Sequence, residues 1–272
     1  MSKIETFEKI PDTPGKTPPL LFVHGACLGA WCWTDGFLDF FAAAGYHSVA
    51  LNLRGHGGSV SSKPLQHLTI DDYVEDVASI ASKMIEPPVI IGHSMGGLIA
   101  QRFAAHYPTR AVVLMAPSPF SGMQSQGLRL FRAHPWSFLT AILTKNIFRI
   151  YPDNNNVRHI MFSPGTPEET VAHCRERMQK ESWLACQEMN EPLKQPYPIT
   201  SPILVVGGEH DGTVLPQAIC ETAAAYEAHC HIFTGRGHNL MLEPGWDEVV
   251  TYIEHWLQRC STMRHNKAAQ LK

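Results

Sequence analysis

The sequence predicts an α/β fold with a doubly wound, mostly parallel central sheet and a helical cap insert. The first observation is that short apolar runs alternate with helical stretches along most of the chain, which is typical of parallel strands connected by helices. The second is an interruption of this alternation at residues 118–201, a connection too long to lack structure of its own. The 272 residues suffice to bury the core of one such domain.

Six apolar runs have the length and composition of buried strands. They lie at residues 20–23, 48–53, 89–91, 112–115, 203–206 and 229–233. About nineteen residues precede the first run, which leaves room for about one further strand. After the second run, apolar side chains recur at helical spacing from Ile70 to Met84 and predict a helix packed on the sheet. Thr69 and Asp72 are spaced like a variant of the capping box at its start.

The interruption divides the chain into two parts. Residues 1–117 and 202–272 form the predicted core, and residues 118–201 form a cap segment with helix-like stretches at 128–143 and 168–189. A polar loop is expected at 153–156. We expect the cap segment to lie above the carboxyl-terminal edge of the sheet, where open α/β folds bind ligands.

Composition excludes several classes of function. The chain has 22 Lys and Arg residues against 25 Asp and Glu, a net charge of −3 that gives no sign of binding to nucleic acid or an anionic membrane. It begins without a signal-like apolar region and has no stretch long enough to span a bilayer, so we expect a cytoplasmic protein without a membrane span. Seven unclustered cysteines favour buried thiols over a disulfide framework. We expect the partner to be a small molecule with an apolar portion, and we expect no cofactor. The oligomeric state is not predicted.

The most informative motif follows the third strand run. It is the G-x-S-x-G pentapeptide Gly92-His93-Ser94-Met95-Gly96, which opens onto a helix-like stretch. A strand, a sharp turn and a helix in this order indicate a nucleophile elbow, in which the glycines remove side chains that would collide. The alternative is a glycine-rich helix start with Ser94 as an ordinary N-cap.

A serine nucleophile needs a base, and the base needs an acid that orients it. Asp211 follows the fifth run and His238 follows the sixth, so all three side chains come directly after strands that end at one edge of a parallel sheet. Glu209 competes with Asp211 for the role of the acid. We favour Asp211 because it lies farther into the loop, beside Gly212, where a turn could direct its carboxylate toward the histidine.

Two further sequence features concern the groups around the nucleophile. The amide of Ala26, after the first run, and the amide of Met95 are the predicted oxyanion-hole donors. His24 is interpreted as a structural residue that ties this loop down. On the last strand, His229 and His231 share a face, but without a third ligand at a recognisable spacing we expect no metal site.

The cap segment is rich in large apolar side chains. Trp136 and Trp183 are the candidate substrate-binding residues, since an apolar cap would contact the part of a substrate remote from the reacting bond. The alternative is that such rings form a small core of the cap itself.

Together these motifs resemble the α/β-hydrolase superfamily. The matching landmarks are His24-Gly25, the turn from Arg54 to Ser59, the pentapeptide around Ser94, Asp211 and Gly237-His238. The opening from Val23 to Trp33 is also similar to the plant branch of esterases and hydroxynitrile lyases. The resemblance implies a central parallel sheet, a helical cap and metal-free hydrolysis through an acyl-enzyme.

The departures from the family pattern narrow the expected activity. Hydroxynitrile lyases carry a threonine where this chain has Gly25, and the dehalogenases and epoxide hydrolases of this fold use an aspartate where it has Ser94. We therefore expect a hydrolase of small or medium carboxylic esters. The same triad would serve a thioesterase, a lactonase or a hydrolase of carbon–carbon bonds, and a non-catalytic small-molecule receptor of the same fold is a further alternative.

Overall fold

The computed structural model describes residues 3–13, 15 and 18–270 of the chain. Its sheet has seven strands in the order β1-β3-β2-β4-β5-β6-β7, and every neighbouring pair is parallel except β1 with β3. The strands are β1 Thr6–Lys9, β2 Leu20–Val23, β3 Ser48–Leu51, β4 Val89–His93, β5 Ala111–Met115, β6 Ile203–Gly208 and β7 His229–Phe233. The predicted fold class is confirmed.

All six predicted runs are strands, and a single described strand precedes them, as expected. The ends differ by up to two residues. The second run stops at Leu51 rather than at residue 53. Directly after it, the Asn52 side chain turns to the neighbouring loop, and its Oδ1 accepts a hydrogen bond from the Ala30 amide at 2.7 Å. This bond ties the loop after β2 to the end of β3.

Helices cover both faces of the sheet and bury one apolar core on each side. Alternate residues of β2 face opposite cores, as the two-residue period of a strand requires. The helices on one face are α1 Trp31–Thr34, α2 Phe37–Ala43 and α11 Trp246–Gln270; those on the other are α3 Ile70–Ala81, α4 Met95–His106 and α10 Pro216–Ala225. The helix α3 begins with the predicted capping box, in which Thr69 and Asp72 each accept a hydrogen bond from the other's amide.

The cap segment holds five helices and a short 3₁₀ helix. They are α5 Gln124–Ala133, α6 Pro135–Thr144, the 3₁₀ helix Ile147–Ile150, α7 Asn154–Met161, α8 Glu168–Arg177 and α9 Trp183–Met189. A second 3₁₀ helix, Leu65–His67, precedes α3.

Three expectations about the cap segment are corrected by the structure. The stretch 128–143 is broken at His134, because a proline lacks the amide that would continue α5 and instead begins α6. The stretch 168–189 is likewise two helices separated by residues 178–182. Residues 153–156 are not a loop, since the Asp153 side chain accepts a bond from the Asn156 amide and caps α7. None of the helices that the structure describes has the length and apolarity to cross a bilayer.

Candidate active site

Ser94 occupies a strained turn between β4 and α4. Its φ of 53° and ψ of −116° are rarely adopted by residues other than glycine. The turn requires glycine on both sides: a Cβ at Gly92 would lie 2.2 Å from the Gly96 carbonyl oxygen, and one at Gly96 would lie 2.3 Å from the Val23 carbonyl oxygen. The Ser94 side chain makes no capping hydrogen bond to α4, so the alternative of an ordinary N-cap is wrong.

Asp211 and His238 form a buried pair at the ends of β6 and β7. The Nδ1–H of His238 donates to Oδ2 of Asp211 over 2.8 Å, and both side chains are almost completely buried. The other carboxylate oxygen, Oδ1, accepts from the amides of Thr213 at 2.7 Å and Val214 at 2.6 Å. These bonds fix the plane of the carboxylate and direct one oxygen at the imidazole.

Glu209 lies outside this arrangement. Its side chain is 49% exposed, and Oε2 accepts a bond from the Gly235 amide at 2.9 Å. It thereby holds the turn after β7, three residues before His238. The geometry places Asp211, and not Glu209, beside the histidine.

His93, the second residue of the pentapeptide, contacts His238 directly. Its Nε2–H donates to the His238 carbonyl oxygen at 3.0 Å, and the two ring centroids are 4.7 Å apart. Burial, and then the neighbouring His238, lower the pKa of His93 well below its usual value, so it donates as a neutral ring. Sequence analysis missed this residue because it occupies a variable position of G-x-S-x-G.

The predicted oxyanion donors lie next to the nucleophile. Ala26 lines the same cavity as Ser94, and Met95 begins α4. Within the described residues, neither amide donates a backbone hydrogen bond, so both remain available for an oxyanion. His24 ties the loop down as interpreted: its Nδ1–H donates to the Gly25 carbonyl at 2.9 Å, and Nε2 accepts from the Leu53 amide at 3.1 Å. Burial, then His56, lower the pKa of His24 to about 3.

A cavity of about 140 Å³ opens over Ser94 and His238. Most of its wall is apolar and comes from the cap segment, including Met123, Leu130, Phe138, Ala141, Ile142, Ile147, Ile150, Tyr151, Met161, Trp183 and Met189. Such a wall suits the apolar portion of a small molecule.

The structure separates the two candidate tryptophans. Trp183 lines the cavity, where it can meet a substrate. Trp136 does not line it and is 81% exposed, because it lies on the side of α6 away from Phe138 and Ala141, which line the cavity. The expectation that Trp136 contacts substrate in this cavity is therefore corrected.

Glu181 is a second feature that sequence analysis missed. Its carboxylate is fully buried and lies 3.1 Å from Nε2 of His56, which is also fully buried. Oε1 accepts from the Tyr73 hydroxyl at 2.6 Å, and Oε2 accepts from the Cys27 amide at 3.3 Å, next to Ala26. Glu181 thus joins the cap segment to the oxyanion loop.

The Glu181–His56 contact favours the charged form of both groups. Burial alone would raise the pKa of Glu181, but His56 and the hydrogen bonds together lower it. Burial alone would lower the pKa of His56, but Glu181 raises it. Further bonds anchor the same part of the cap, among them that from the Gln179 amide to the Cys27 carbonyl at 2.8 Å and that from the Ser182 hydroxyl to the Leu68 carbonyl at 2.6 Å.

The histidines of β7 pack against a helix. Nε2 of His229 lies 2.7 Å from the Tyr252 hydroxyl, and the His231 ring stacks on Tyr252 at 4.2 Å. Among the residues that the structure describes, no three potential metal ligands gather in one place.

The parallel sheet carries a strained serine turn and an acid–histidine pair at its carboxyl edge. This arrangement is typical of the class of proteins that have a nucleophile elbow. The model of the alpha/beta hydrolase family matches residues 20–251. The chain therefore belongs to the alpha/beta hydrolase family.

Known proteins resemble the chain at modest identity. Epoxide hydrolase 3 of Mus musculus is 26% identical over 248 residues, which are 82% of this chain and 66% of that protein. Methyl jasmonate esterase 1 of Vitis vinifera is 31% identical over 103 residues, 37% of this chain and 38% of that protein. A bifunctional esterase/perhydrolase of Acinetobacter calcoaceticus is 32% identical over 111 residues, 39% of each. The matched part of the chain spans less than two thirds of the length of each relative.

Solved structures share the fold over nearly the whole chain. A thermophilic esterase from Thermogutta terrifontis superposes with a TM-score of 0.72 at 18% identity and covers 94% of this chain and 93% of its own. A putative lipase from Acinetobacter baumannii gives a TM-score of 0.73 at 18% identity and covers 96% of this chain and 89% of its own.

Proposed function

We propose that the chain is a serine hydrolase that cleaves small or medium carboxylic esters through an acyl-enzyme. The observation that carries the proposal is the buried 2.8 Å hydrogen bond between His238 and Asp211. The imidazole of His238 lines the same cavity as Ser94. A serine hydroxyl is a weak nucleophile, and a histidine held in one tautomer by a carboxylate is the group that activates it.

We assign each step to a residue of the candidate site. His238 takes the proton from Ser94 Oγ as the oxygen attacks the ester carbonyl carbon, and Asp211 stabilises the resulting imidazolium. The carbonyl oxygen becomes negative and is bound by the amides of Ala26 and Met95. The alcohol leaves with the proton from His238, and a water molecule then repeats the sequence on the acyl-enzyme.

The nucleophile, rather than the names of the relatives, favours an ester over an epoxide as substrate, since the relative matched over most of the chain is an epoxide hydrolase. Two other relatives are named as esterases. Epoxide hydrolases of this fold use an aspartate nucleophile, and this chain has Ser94 at that position. Lyase chemistry is disfavoured as well, since a side chain at Gly25 would place its Cβ 3.0 Å from the Cβ of Ser94 and leaves little room for a threonine.

The cap segment, residues 118–201, is assigned the role of selecting the substrate. Its aliphatic and aromatic side chains form most of the cavity wall, including Trp183. They would exclude water and bury the apolar portion of the ester, while the polar reacting group meets Ser94.

A fluorophosphonate probe tests the nucleophile. Wild-type protein should be labelled once, and Ser94→Ala should lose both labelling and multiple turnover. Ser118→Ala is the matched control, because its hydroxyl is buried near Ser94 but has no hydrogen-bond partner in the described residues. Persistent labelling of Ser94→Ala would overturn the assignment.

A substrate panel tests the reaction. Esters, thioesters and lactones of graded acyl length should be turned over many times, with carboxylic esters giving the highest kcat/KM. A preference for thioesters or lactones would move the assignment to those bonds. Binding with a single turnover would indicate a receptor.

A further inference from the structure

The cap segment exposes an unusual number of large apolar side chains. Of the thirteen such residues exposed in the described part of the chain, six lie between residues 128 and 143. We define the apolar cap face as Leu128, Phe131, Trp136, Leu139, Ile142 and Leu143. Single exposed apolar residues need no explanation, but a cluster on adjacent helices marks a binding surface.

Helical spacing gathers these residues on a common side. Trp136, Leu139 and Leu143 on α6 are three and four residues apart, so they lie along one stripe. They include the most exposed members, with Trp136 81% and Leu143 83% exposed. On α5, the Phe131 ring packs against Phe138 of α6 with centroids 5.7 Å apart, which makes the apolar surfaces of the two helices continuous.

The stretch of chain that carries the apolar cap face is positively charged. Residues 118–152 contain four basic residues and no acidic one, although the whole chain has a net charge of −3. Arg129 is turned inward and donates to the carbonyl oxygens of Gly212 and Thr213. The other three, Arg132, Lys145 and Arg149, are exposed, and within the described residues none forms an ion pair.

We infer that the apolar cap face binds the surface of an anionic lipid aggregate. Two short helices that present a tryptophan and leucines beside unpaired cations have the composition of elements that lie in a lipid–water interface. A protein with a negative net charge attracts an anionic lipid surface only at a site where positive side chains are in local excess. The proposal departs from the expectation drawn from whole-chain charge, that no anionic membrane is bound, because that charge averages over this local excess of cations.

The surface is continuous with the cavity over Ser94. Ile142 belongs to the apolar cap face and also lines the cavity, and Phe138 lines it from the same helix. An apolar molecule held in a lipid layer would therefore lie against a side chain that also forms part of the cavity wall. The inference goes beyond the proposed ester hydrolysis, because adsorption to lipid does not require the nucleophile.

Vesicle binding tests the inference. Ser94→Ala protein is mixed with vesicles of equimolar phosphatidylcholine and phosphatidylglycerol, or of phosphatidylcholine alone, and the bound fraction is measured by flotation. Binding to the anionic vesicles, weakened by added salt, is expected, together with a blue shift of the tryptophan emission that Trp136→Phe removes.

Matched variants locate the surface. Leu139→Ser/Leu143→Ser should weaken the vesicle affinity by at least about tenfold, since each leucine loses apolar contact with lipid. Ile85→Ser, at a residue that is 98% exposed outside the cap segment, should leave it unchanged. In the otherwise wild-type chain, neither change should alter hydrolysis of a small water-soluble ester, because none of these side chains lines the cavity.

Two results would overturn the inference. One is the absence of binding to the anionic vesicles by a folded protein. The other is a concentration-dependent dimer in sedimentation that Leu139→Ser/Leu143→Ser abolishes while vesicles are not bound, which would assign the apolar cap face to a second copy of the chain. If no ester of the substrate panel were hydrolysed, the vesicle-binding result would not be affected. The two proposals are therefore tested separately.

Discussion

Replacement of Glu181 by glutamine should destabilise the protein strongly. The carboxylate is fully buried and lies beside the buried His56, and it also accepts bonds from the Tyr73 hydroxyl and the amides of Cys27 and Ser182. Removing one partner of a buried ion pair costs about 3 to 5 kcal/mol, because the other is left without compensation. Glutamine keeps the shape and one accepting oxygen, so we expect the lower end, about 3 kcal/mol.

This free energy converts to a measurable change in melting temperature. For a large domain, each kcal/mol shifts Tm by about 2 to 4 °C, so Glu181→Gln should lower Tm by about 6 to 12 °C. The pair also gives the effect a pH dependence. Because the folded pKa of Glu181 is lowered, its contribution is present above the ordinary value of 4.5 and is lost as pH falls through the folded pKa. Because the folded pKa of His56 is raised, its contribution is present below 6.5 and is lost as pH rises through the folded pKa.

Calorimetry on wild type and variants is the assay. The difference between wild type and Glu181→Gln should be largest between about pH 4.5 and 6.5 and should shrink on either side. Glu168→Gln is the control, since this glutamate also forms an ion pair in the cap segment, with Arg158 at 2.6 Å, but is exposed to water. Equal melting temperatures for the two variants, or a difference independent of pH, would refute the reasoning.

Three further predictions concern the candidate site. Asp211→Asn should lower kcat by about 10⁴-fold, because the amide leaves the imidazole in the wrong tautomer, whereas Glu209→Gln should cost far less; steady-state kinetics of the purified variants would show the opposite ranking if Glu209 were the acid. Trp183→Ala should change relative kcat/KM among acyl groups by about tenfold or more, while Trp136→Ala leaves the ranking of soluble esters unchanged; identical rankings would remove Trp183 from the substrate site. Gly96→Ala should lose soluble, folded protein in thermal melts, because its Cβ would lie 2.3 Å from a backbone oxygen; a native melting temperature would contradict the close approach.

The features that the sequence predicted are those encoded locally. The strands are continuous apolar runs, and Ser94, Asp211 and His238 each follow the end of one of them. In a parallel sheet these ends share an edge, so chain order predicted an acid beside His238, and the position of Asp211 farther into its loop favoured it over Glu209. The elbow was readable because its glycines are required by close backbone contacts.

The features that it missed depend on distant contacts or on helix orientation. Glu181 meets Tyr73 across 108 positions of the chain, and no local pattern marks a glutamate for burial. Trp136 and Trp183 looked equivalent in the sequence, and only the orientation of α6, which directs Trp136 away from the cavity, distinguishes them. The positive charge around the cap helices was hidden because whole-chain charge averages over acidic residues elsewhere.

The anchor at Glu181 has a consequence for protein engineering. An exchange of the cap segment between relatives is an obvious route to new substrate ranges, since the cap segment supplies most of the cavity wall. A graft that carried away Glu181 would leave Tyr73 and His56 of the recipient facing an unmatched neighbour in a dry interior. The second junction of such a graft should therefore lie before residue 179. The donor then contributes the helices α5 to α8, and the recipient keeps its own segment around Glu181, which contacts its own core.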